Sequence, residues 1–226
     1  MTLEQLTFDL PARRAYLRDD FFVSQANRAA LAAVEGWRDW PGKRLLVIGP
    51  KAAGKTHLAQ IWADLTGARM ISGSDVGQAD LPELCSGPVA VEDADLVAGQ
   101  RDAENALLHL FNLAGQLGQP LLLTASAPPR DWGLRLDDVH SRLAAMPVAT
   151  LLAPDDALLS AVLVKLFSDR QIVVPANLIP YLISRMDRSI AAAGALVAAL
   201  DAKALSKGGP ITRILAAEVL DSAALG

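Results

Sequence analysis

Eight consecutive residues have the types and the spacing that are needed to hold a phosphate group. They fit the P-loop pattern, Gly, four residues, then Gly-Lys-Ser/Thr, at every specified position. Glycines let backbone N–H groups approach phosphate oxygens, the lysine reaches the β- and γ-phosphates, and the threonine hydroxyl holds Mg²⁺. The pattern therefore predicts a site for a nucleoside diphosphate or triphosphate, formed by Gly49, Pro50, Lys51, Ala52, Ala53, Gly54, Lys55 and Thr56.

The stretches on either side of this loop are the elements that phosphate binding requires. Leu45 to Ile48 form an apolar, partly β-branched run that predicts a buried strand, and residues 57–63 have helical character. A helix that begins at the loop adds partial positive charge from its N-terminus. A glycine turn with an accidental lysine would need neither flank, so the setting favours nucleotide binding.

A second candidate site is the pair of acids, Glu92 and Asp93, that ends the apolar run from Val89. In P-loop ATPases the first such carboxylate supports Mg²⁺ and the next polarises the attacking water. The alternative is a buried strand followed by a solvated acidic turn. The position after the P-loop favours the catalytic role, and Glu92 joins Thr56 as an expected metal ligand. Aspartate is usual at the first position, so the longer side chain predicts weak hydrolysis.

Two further residues each allow a functional and a structural interpretation. Ser126 follows the apolar run from Leu121 to Ala125, where a hydroxyl can sense the γ-phosphate or simply cap the turn that follows. Arg142 can be an ordinary surface charge, or an arginine finger offered to a neighbour's triphosphate. Spacing alone does not decide between these roles.

The elements that must position these residues alternate along the chain. Five apolar runs predict strands, and the helical stretches between them, notably 102–117, predict a mostly parallel sheet covered on both faces. After Pro154 the chain is rich in alanine and leucine with helical spacing only. We expect an N-terminal tail (1–19), an α/β nucleotide-binding domain (20–154) and a small all-helical domain (155–226). The predicted strands are 45–48, 68–72, 89–92, 121–125 and 148–152; the later predicted helices are 155–170, 176–186, 189–205 and 211–224.

Composition excludes several other classes of protein. The net charge of −4 disfavours extensive direct binding to duplex DNA. Cys85, the single cysteine, excludes an intrachain disulfide and a cysteine zinc cluster, and we expect it to be an inert buried thiol. The three histidines have no metal-ligand spacing. No apolar run reaches the ~18 residues of a membrane span, and the N-terminus lacks the basic start of a secretory signal, so we expect a cytoplasmic protein with no membrane contact.

The motifs together resemble the DnaA-type AAA+ ATPases over about residues 20–200. The resemblance is carried by Asp20-Phe21-Phe22-Val23 with Asn27-Arg28, Gly54-Lys55-Thr56-His57, Glu92-Asp93, Ser126-Ala127-Pro128-Pro129 and His140-Ser141-Arg142-Leu143. It implies a five-stranded parallel P-loop AAA+ domain followed by a helical lid, with ADP or ATP and Mg²⁺ bound. It also implies that Phe22, Val23 and His57 contribute to the nucleotide site and that Arg142 is a finger acting in trans.

The N-terminal tail carries a separate resemblance. Residues 5–10 are similar to the peptide that docks in the pocket of the DNA sliding clamp, where a glutamine amide meets the polar rim and apolar side chains meet the floor. The expected contacts are Gln5, Leu6, Phe8 and Leu10. DnaA's N-terminal helicase-interaction region and its C-terminal DNA-binding domain have no counterpart in this sequence. The combination resembles the regulators of this family that act on DnaA from the clamp and meet DNA indirectly; a homo-oligomer is left open.

The lid motif departs from the family pattern. The position that normally supplies a phosphate-sensing arginine is Ala191, so either Arg185 or Arg188 substitutes or the lid does not contact the γ-phosphate. With Glu92, this favours a nucleotide-bound regulator with poor hydrolysis of its own. The alternative is an ATP-hydrolysing helicase loader or remodeller of the DnaA/DnaC type.

Overall fold

The computed structural model of the protein describes Arg18 and residues 21–223. The predicted clamp-binding peptide, with Gln5, Leu6, Phe8 and Leu10, lies outside these residues. Five strands form one sheet: β1 (Arg44–Ile48), β2 (Arg69–Ser72), β3 (Val89–Glu92), β4 (Leu121–Ala125) and β5 (Val148–Thr150).

All five strands are parallel, in the order β2-β3-β4-β1-β5. In β1 the side chains alternate between two separate cores: Leu46 belongs to one, and Leu45 and Val47 belong to the other. The sheet is therefore buried on both faces, as the apolar runs predicted.

In the described part of the chain, five α-helices precede the last strand: α1 (Arg28–Glu35), α2 (Lys55–Thr66), α3 (Leu81–Leu84), α4 (Arg101–Gln116) and α5 (Asp137–Ala144). Residues of α1 and α2 share a core with Leu45, whereas those of α3, α4 and α5 share a core with Leu46. Because the strands are parallel, the carboxyl ends of β1, β3 and β4 lie at the same edge of the sheet. The predicted site residues follow the strands at that edge.

Four helices follow the sheet: α6 (Asp156–Asp169), α7 (Leu178–Ile183), α8 (Ile190–Lys207) and α9 (Arg213–Ala223). They bury a third apolar core of their own, which includes Leu163, Leu182 and Leu200. These helices match the predicted positions to within a few residues at each end. The exact bounds of the two predicted domains remain a prediction.

The last strand is shorter than predicted because the chain leaves the sheet after Thr150. The N–H of Leu151 still donates to the carbonyl of Ile48 at 2.8 Å. The next N–H, that of Leu152, instead donates to the carbonyl of Ala26 at 3.0 Å. The chain thus passes from the sheet to the segment before α1, and that path brings the helical part towards the P-loop.

Candidate nucleotide-binding site

The predicted phosphate loop joins the end of β1 to the start of α2. Gly49 packs so closely on the chain after β5 that an added Cβ would lie 2.8 Å from the Cβ of Leu151. Gly54 has a φ of +106° and immediately precedes α2. Ala52 also adopts a left-handed conformation, with a φ of +59°, which the P-loop pattern does not predict for a non-glycine residue. The backbone N–H groups at the N-terminus of α2 are therefore available to an anion.

The Lys55 side chain lies within the loop and is buried. Its ammonium group donates to the carbonyl of Gly49 at 3.1 Å and to that of Pro50 at 3.3 Å. A lysine held over the loop by the loop's own carbonyls is placed where phosphates would lie.

The Glu92 carboxylate lies beside Thr56, whose hydroxyl hydrogen-bonds to it. Burial raises the pKa of the Glu92 carboxyl above its usual range; the Thr56 hydrogen bond and Lys55 oppose that rise, and Asp93 adds to it. The Oε1 atom of Glu92 is buried with no hydrogen-bond partner among the described residues. An orphaned carboxylate oxygen next to a threonine hydroxyl fits Mg²⁺, which prefers oxygen ligands and takes most of the others from phosphate and water. Glu92 and Thr56 would hold that ion, and the ion would supply charge neutralisation at the phosphates.

Asp93 is positioned through its backbone. Its φ is +47°, and its N–H donates to the buried Thr124 hydroxyl at 3.0 Å. The turn after β2 packs directly against it, because a Cβ added at Gly73 would collide with the Asp93 carbonyl oxygen. Asp93 is exposed, so its carboxylate is accessible to water.

Ser126 directly follows β4 and is hydrogen-bonded to the turn that follows β3. Its hydroxyl donates to the Asp95 carboxylate, and its backbone N–H donates to Asp95 Oδ2 at 3.1 Å. Asp95 belongs to the short turn after Glu92 and Asp93, so the sensing candidate is linked to the acidic motif. The structure brings Ser126, Thr124 and both acids to one edge of the sheet.

The segment before α1 borders the loop through Phe21. The Phe21 ring meets the His57 ring edge-on, with centroids 5.0 Å apart, and lies close to Gly54. Phe22, which the resemblance assigns to the nucleotide site, is 47% exposed, and Val23 is half-buried. Asn27 fixes this segment: its amide donates to the Phe22 carbonyl at 2.8 Å and its oxygen accepts from the Ser24 N–H at 2.9 Å.

The same segment is tied to the linker before α6. The Asp155 carboxylate caps α6 by accepting the N–H of Leu158 at 2.8 Å, and it also accepts that of Ala26 at 3.3 Å. The Leu158 hydrogen bond is the main reason that the pKa of Asp155 lies below its usual range; burial opposes this, and hydrogen bonds from Ser24 and Ala26 and the charge of Arg188 add to it. One carboxylate thus joins the segment before α1 to the helical part.

The N-terminus of α8 rests on the phosphate loop. The N–H of Ile190 donates to the carbonyl of Ala52 at 3.3 Å, and Ala191 beside it is exposed. Arg188 contacts Asp156 at the start of α6 and the Pro154 carbonyl before it, and the Arg185 guanidinium lies 4.6 Å from the ring centroid of Tyr181. Neither arginine therefore points into the loop, and position 191 offers no charge to a phosphate.

Arg142 lies on α5, remote from this site. It is exposed, and its guanidinium carbon lies 5.6 Å above the ring of Phe111 on α4. The same ring contacts Arg44, which begins β1, whereas the phosphate loop follows the end of β1. Arg142 and the P-loop are consequently at opposite ends of the sheet.

Several of these residues give no signal in the sequence. The ring contact of Phe21 with His57 joins residues that are 36 positions apart, so no local pattern indicates it. Thr124 and Asp95 contact the residues of the site only because β3 and β4 are adjacent in the sheet. Cys85 is buried, as predicted, and burial raises the pKa of its thiol.

Two broader features concern the residues that the structure describes. In this part of the chain, no helix has the length and apolarity needed to cross a bilayer. The same residues include no group of three or more His, Cys, Asp or Glu side chains arranged around a metal. A metal here would depend on the nucleotide's phosphates for its remaining ligands.

Comparison with known proteins places this fold. No protein-family model matches the chain. The chromosomal replication initiator protein DnaA of Thermomicrobium roseum is 23% identical over an alignment 232 residues long, gaps included. The alignment covers 91% of this chain and 49% of that protein. Domain III of Thermotoga maritima DnaA superimposes with a TM-score of 0.78 at 18% identity, covering 94% of this chain and 98% of that one. AMPPCP-bound DnaA from Aquifex aeolicus superimposes with a TM-score of 0.68 at 19% identity, covering 84% of this chain and 66% of that one.

The five-stranded parallel sheet with its P-loop defines an α/β fold, shared with domain III of Thermotoga maritima DnaA. In sequence the chain is similar to part of DnaA, and its fold is that of DnaA domain III. It spans about half the length of the curated relatives that it matches.

Proposed function

We propose that the chain binds ADP or ATP with Mg²⁺ at the P-loop. Lys55 binds the β- and γ-phosphates, and Thr56 and Glu92 hold the metal ion. Phe21, His57 and Val23 line the base side of the site. The buried position of Lys55 and the unpaired Oε1 atom of Glu92 support this assignment. The AMPPCP that is bound to the Aquifex aeolicus relative supports it independently.

We propose further that the protein acts on a partner's nucleotide through Arg142. The observation that carries this proposal is the location of Arg142, exposed at the end of the sheet remote from its own P-loop. Five residue steps of β1 separate Arg44 from Gly49, which is about 16 Å at ~3.3 Å per residue. Arg142 also forms no ion pair within residues 21–223, so its charge remains available to a neighbouring triphosphate. A guanidinium there stabilises charge that develops on the transferred phosphoryl group.

The partner that the relationship favours is DnaA, because AAA+ domains of one family can complete one another's sites. The tail residues Gln5, Leu6, Phe8 and Leu10 would bind the DNA sliding clamp and bring the protein to DNA indirectly. The chain would then be a regulatory inactivator of DnaA, of the Hda type. It would stimulate hydrolysis of DnaA-bound ATP and so prevent over-initiation of chromosome replication.

The second candidate is an ATP-hydrolysing helicase loader or remodeller of the DnaA/DnaC type. The arrangement of Lys55, Thr56, Glu92 and Asp93 favours it, because these are the groups that hydrolysis in cis requires. The lid favours the regulator, because Ala191 stands where a phosphate-sensing arginine is usual and Arg185 and Arg188 are engaged elsewhere. Rapid ATP turnover by the isolated chain would favour the loader.

The decisive experiment follows labelled ATP on DnaA after addition of clamp-loaded DNA and this protein. Arg142→Ala should bind nucleotide and clamp normally but no longer convert DnaA-ATP to DnaA-ADP. Arg142→Lys should restore little, because a point charge does not reproduce the planar fork. Arg135→Ala removes an exposed arginine just before α5 and is the matched control. Full conversion by Arg142→Ala would refute the finger.

The tail is tested separately by measuring binding to purified clamp. Leu6→Ala/Phe8→Ala should lose most of the affinity, since each anchor contributes on the order of 2 kcal/mol or more to such peptide contacts. Thr7→Ala, in the same peptide, is the matched control. Equal clamp affinity for the wild type and the double variant would remove the clamp from the proposal.

A further inference from the structure

The proposed finger residue is held by an aromatic ring. The Arg142 guanidinium lies over the Phe111 ring, with its carbon 5.6 Å from the centroid. A cation within about 6 Å of an aromatic face is attracted by the ring's electron density. An exposed arginine otherwise occupies many rotamers, so this contact limits where the guanidinium points.

The ring is itself fixed by a second, buried arginine. The guanidinium carbon of Arg44 lies 4.9 Å from the same centroid. Its Nη2 donates to the Phe111 carbonyl at 3.1 Å, and its Nη1 donates to the Gln119 carbonyl at 2.9 Å. Gly115, one turn further along α4, leaves room for this guanidinium, because a Cβ there would lie 3.2 Å from Nη2. Both the backbone and the ring of Phe111 are therefore anchored to the start of β1.

The start of α5 is fixed to the same helix. The Glu104 carboxylate is completely buried and accepts the backbone N–H groups of Arg135 and Leu136, each at 2.9 Å. It also accepts the N–H of Gly99 at 2.9 Å. Glu104 and Phe111 are seven residues apart on α4, about two turns, and so lie on one face of that helix. The Glu104 hydrogen bonds fix where α5 begins, and the Phe111 ring holds Arg142 near the end of α5.

We infer that Phe111 is a positioning residue for Arg142: it orients the guanidinium for a partner's nucleotide. This inference rests on the proposed function. Phe111 does not touch the nucleotide; it acts through Arg142 alone. Its substitution should therefore slow the stimulated hydrolysis without changing nucleotide binding or clamp binding.

The test is a double-variant cycle in the DnaA-ATP assay. Phe111→Leu, which keeps apolar bulk but removes the ring, should reduce the maximal stimulated rate on the order of five- to tenfold. The concentration of Phe111→Leu that gives half-maximal stimulation should be unchanged. Phe111→Tyr should retain the rate. Phe111→Leu should have no further effect when it is added to Arg142→Ala. Leu113→Ala, on the same helix and packed on the same core, is the control for general loss of packing.

A second measurement needs no partner protein. The Arg142 Nε–H resonance, assigned by its loss in Arg142→Ala, should show a ring-current shift that disappears in Phe111→Leu and persists in Phe111→Tyr. An unshifted resonance in the wild type would overturn the inference.

The two ideas fail in different ways. If Arg142→Ala keeps full stimulation, the proposed function is wrong and the role of Phe111 falls with it. If Arg142→Ala loses stimulation but Phe111→Leu does not, or if the two losses add independently, only the positioning role is overturned.

Discussion

Arg188, which lies shortly before α8, forms an ion pair with Asp156, the first residue of α6, with Nη2 and Oδ1 separated by 2.7 Å. The same Nη2 donates to the Pro154 carbonyl at 3.1 Å. This arginine is thus bound to the start of α6 and to the linker residue before it, and does not point into the phosphate loop. Both side chains are half exposed or more, so the ion pair itself adds at most about 1 kcal/mol to stability. Its consequence is geometric: it helps to fix the direction in which α8 leaves the loop.

This arrangement predicts that the lid does not distinguish ATP from ADP. Arg188→Ala and Arg185→Ala should leave the ratio of the two dissociation constants unchanged, as measured by calorimetry. Ala191→Arg should raise the preference for ATP, because position 191 is exposed next to the backbone contact between Ile190 and Ala52. A changed ratio in Arg188→Ala would mean that this arginine reaches the phosphates after all.

Lys55→Ala should abolish most of the stabilisation by adenine nucleotide. A ligand at a hundredfold excess over its dissociation constant adds about 2.7 kcal/mol to the free energy of unfolding. The substitution removes the buried ammonium that neutralises phosphate charge. The measurement is the nucleotide-dependent shift in Tm. Lys43→Ala, which removes the same charge from an exposed position outside the loop, should keep the shift; an equal shift in both variants would contradict the P-loop assignment.

Glu92→Gln should stabilise the nucleotide-free protein at neutral pH while it abolishes the effect of Mg²⁺ on nucleotide binding. The folded-state pKa of Glu92 is raised by burial above its value in the unfolded chain, so the ionised form is penalised in the fold. That penalty is present above the unfolded pKa and disappears as the pH falls below it. The increase in Tm should therefore be present at pH 7 and shrink towards pH 4.

Glu83→Gln, an exposed glutamate outside the site, is the control for the change in net charge and should show neither effect. A lower Tm for Glu92→Gln at pH 7, together with an intact Mg²⁺ dependence, would count against Glu92 as a metal ligand.

Gly73→Ala should destabilise the fold and displace Asp93. The added methyl would collide with the Asp93 carbonyl, and overpacking of this kind costs about 1–3 kcal/mol. Chemical denaturation measures that loss. Gly87→Ala is the matched control, because a Cβ there meets nothing within 4 Å. Equal stability of the two variants would show that the turn after β2 adjusts without strain.

The elements of this fold follow from local patterns in the sequence. The apolar run before Gly49 predicted β1, and the strand from Val89 to Glu92 was predicted at its exact bounds. Strand runs and helical spacing are properties of neighbouring residues, and burial on both faces leaves a continuous apolar signature. The P-loop was equally visible, because its chemistry requires fixed residue types at fixed spacing.

Other features depend on residues that are distant in the chain. The sequence gives no partner for Ser126, because Asp95 precedes it by 31 residues. The two are adjacent only because β3 pairs with β4. Arg188 was a candidate phosphate sensor by its place in the motif, yet Asp156 determines where it points. The left-handed conformation of Ala52 comes from how the loop closes and has no glycine to reveal it.

The sequence by itself determined which secondary structures form and that one loop has the chemistry for phosphate, since both depend on residue type and short-range spacing. Only the tertiary structure decided which side chains meet. It brought Glu92 to Thr56, and it directed Arg142 away from its own phosphate loop and onto Phe111. The physical reason is that the order of parallel strands and the packing of α4 and α5 set these distances, and no local pattern encodes them.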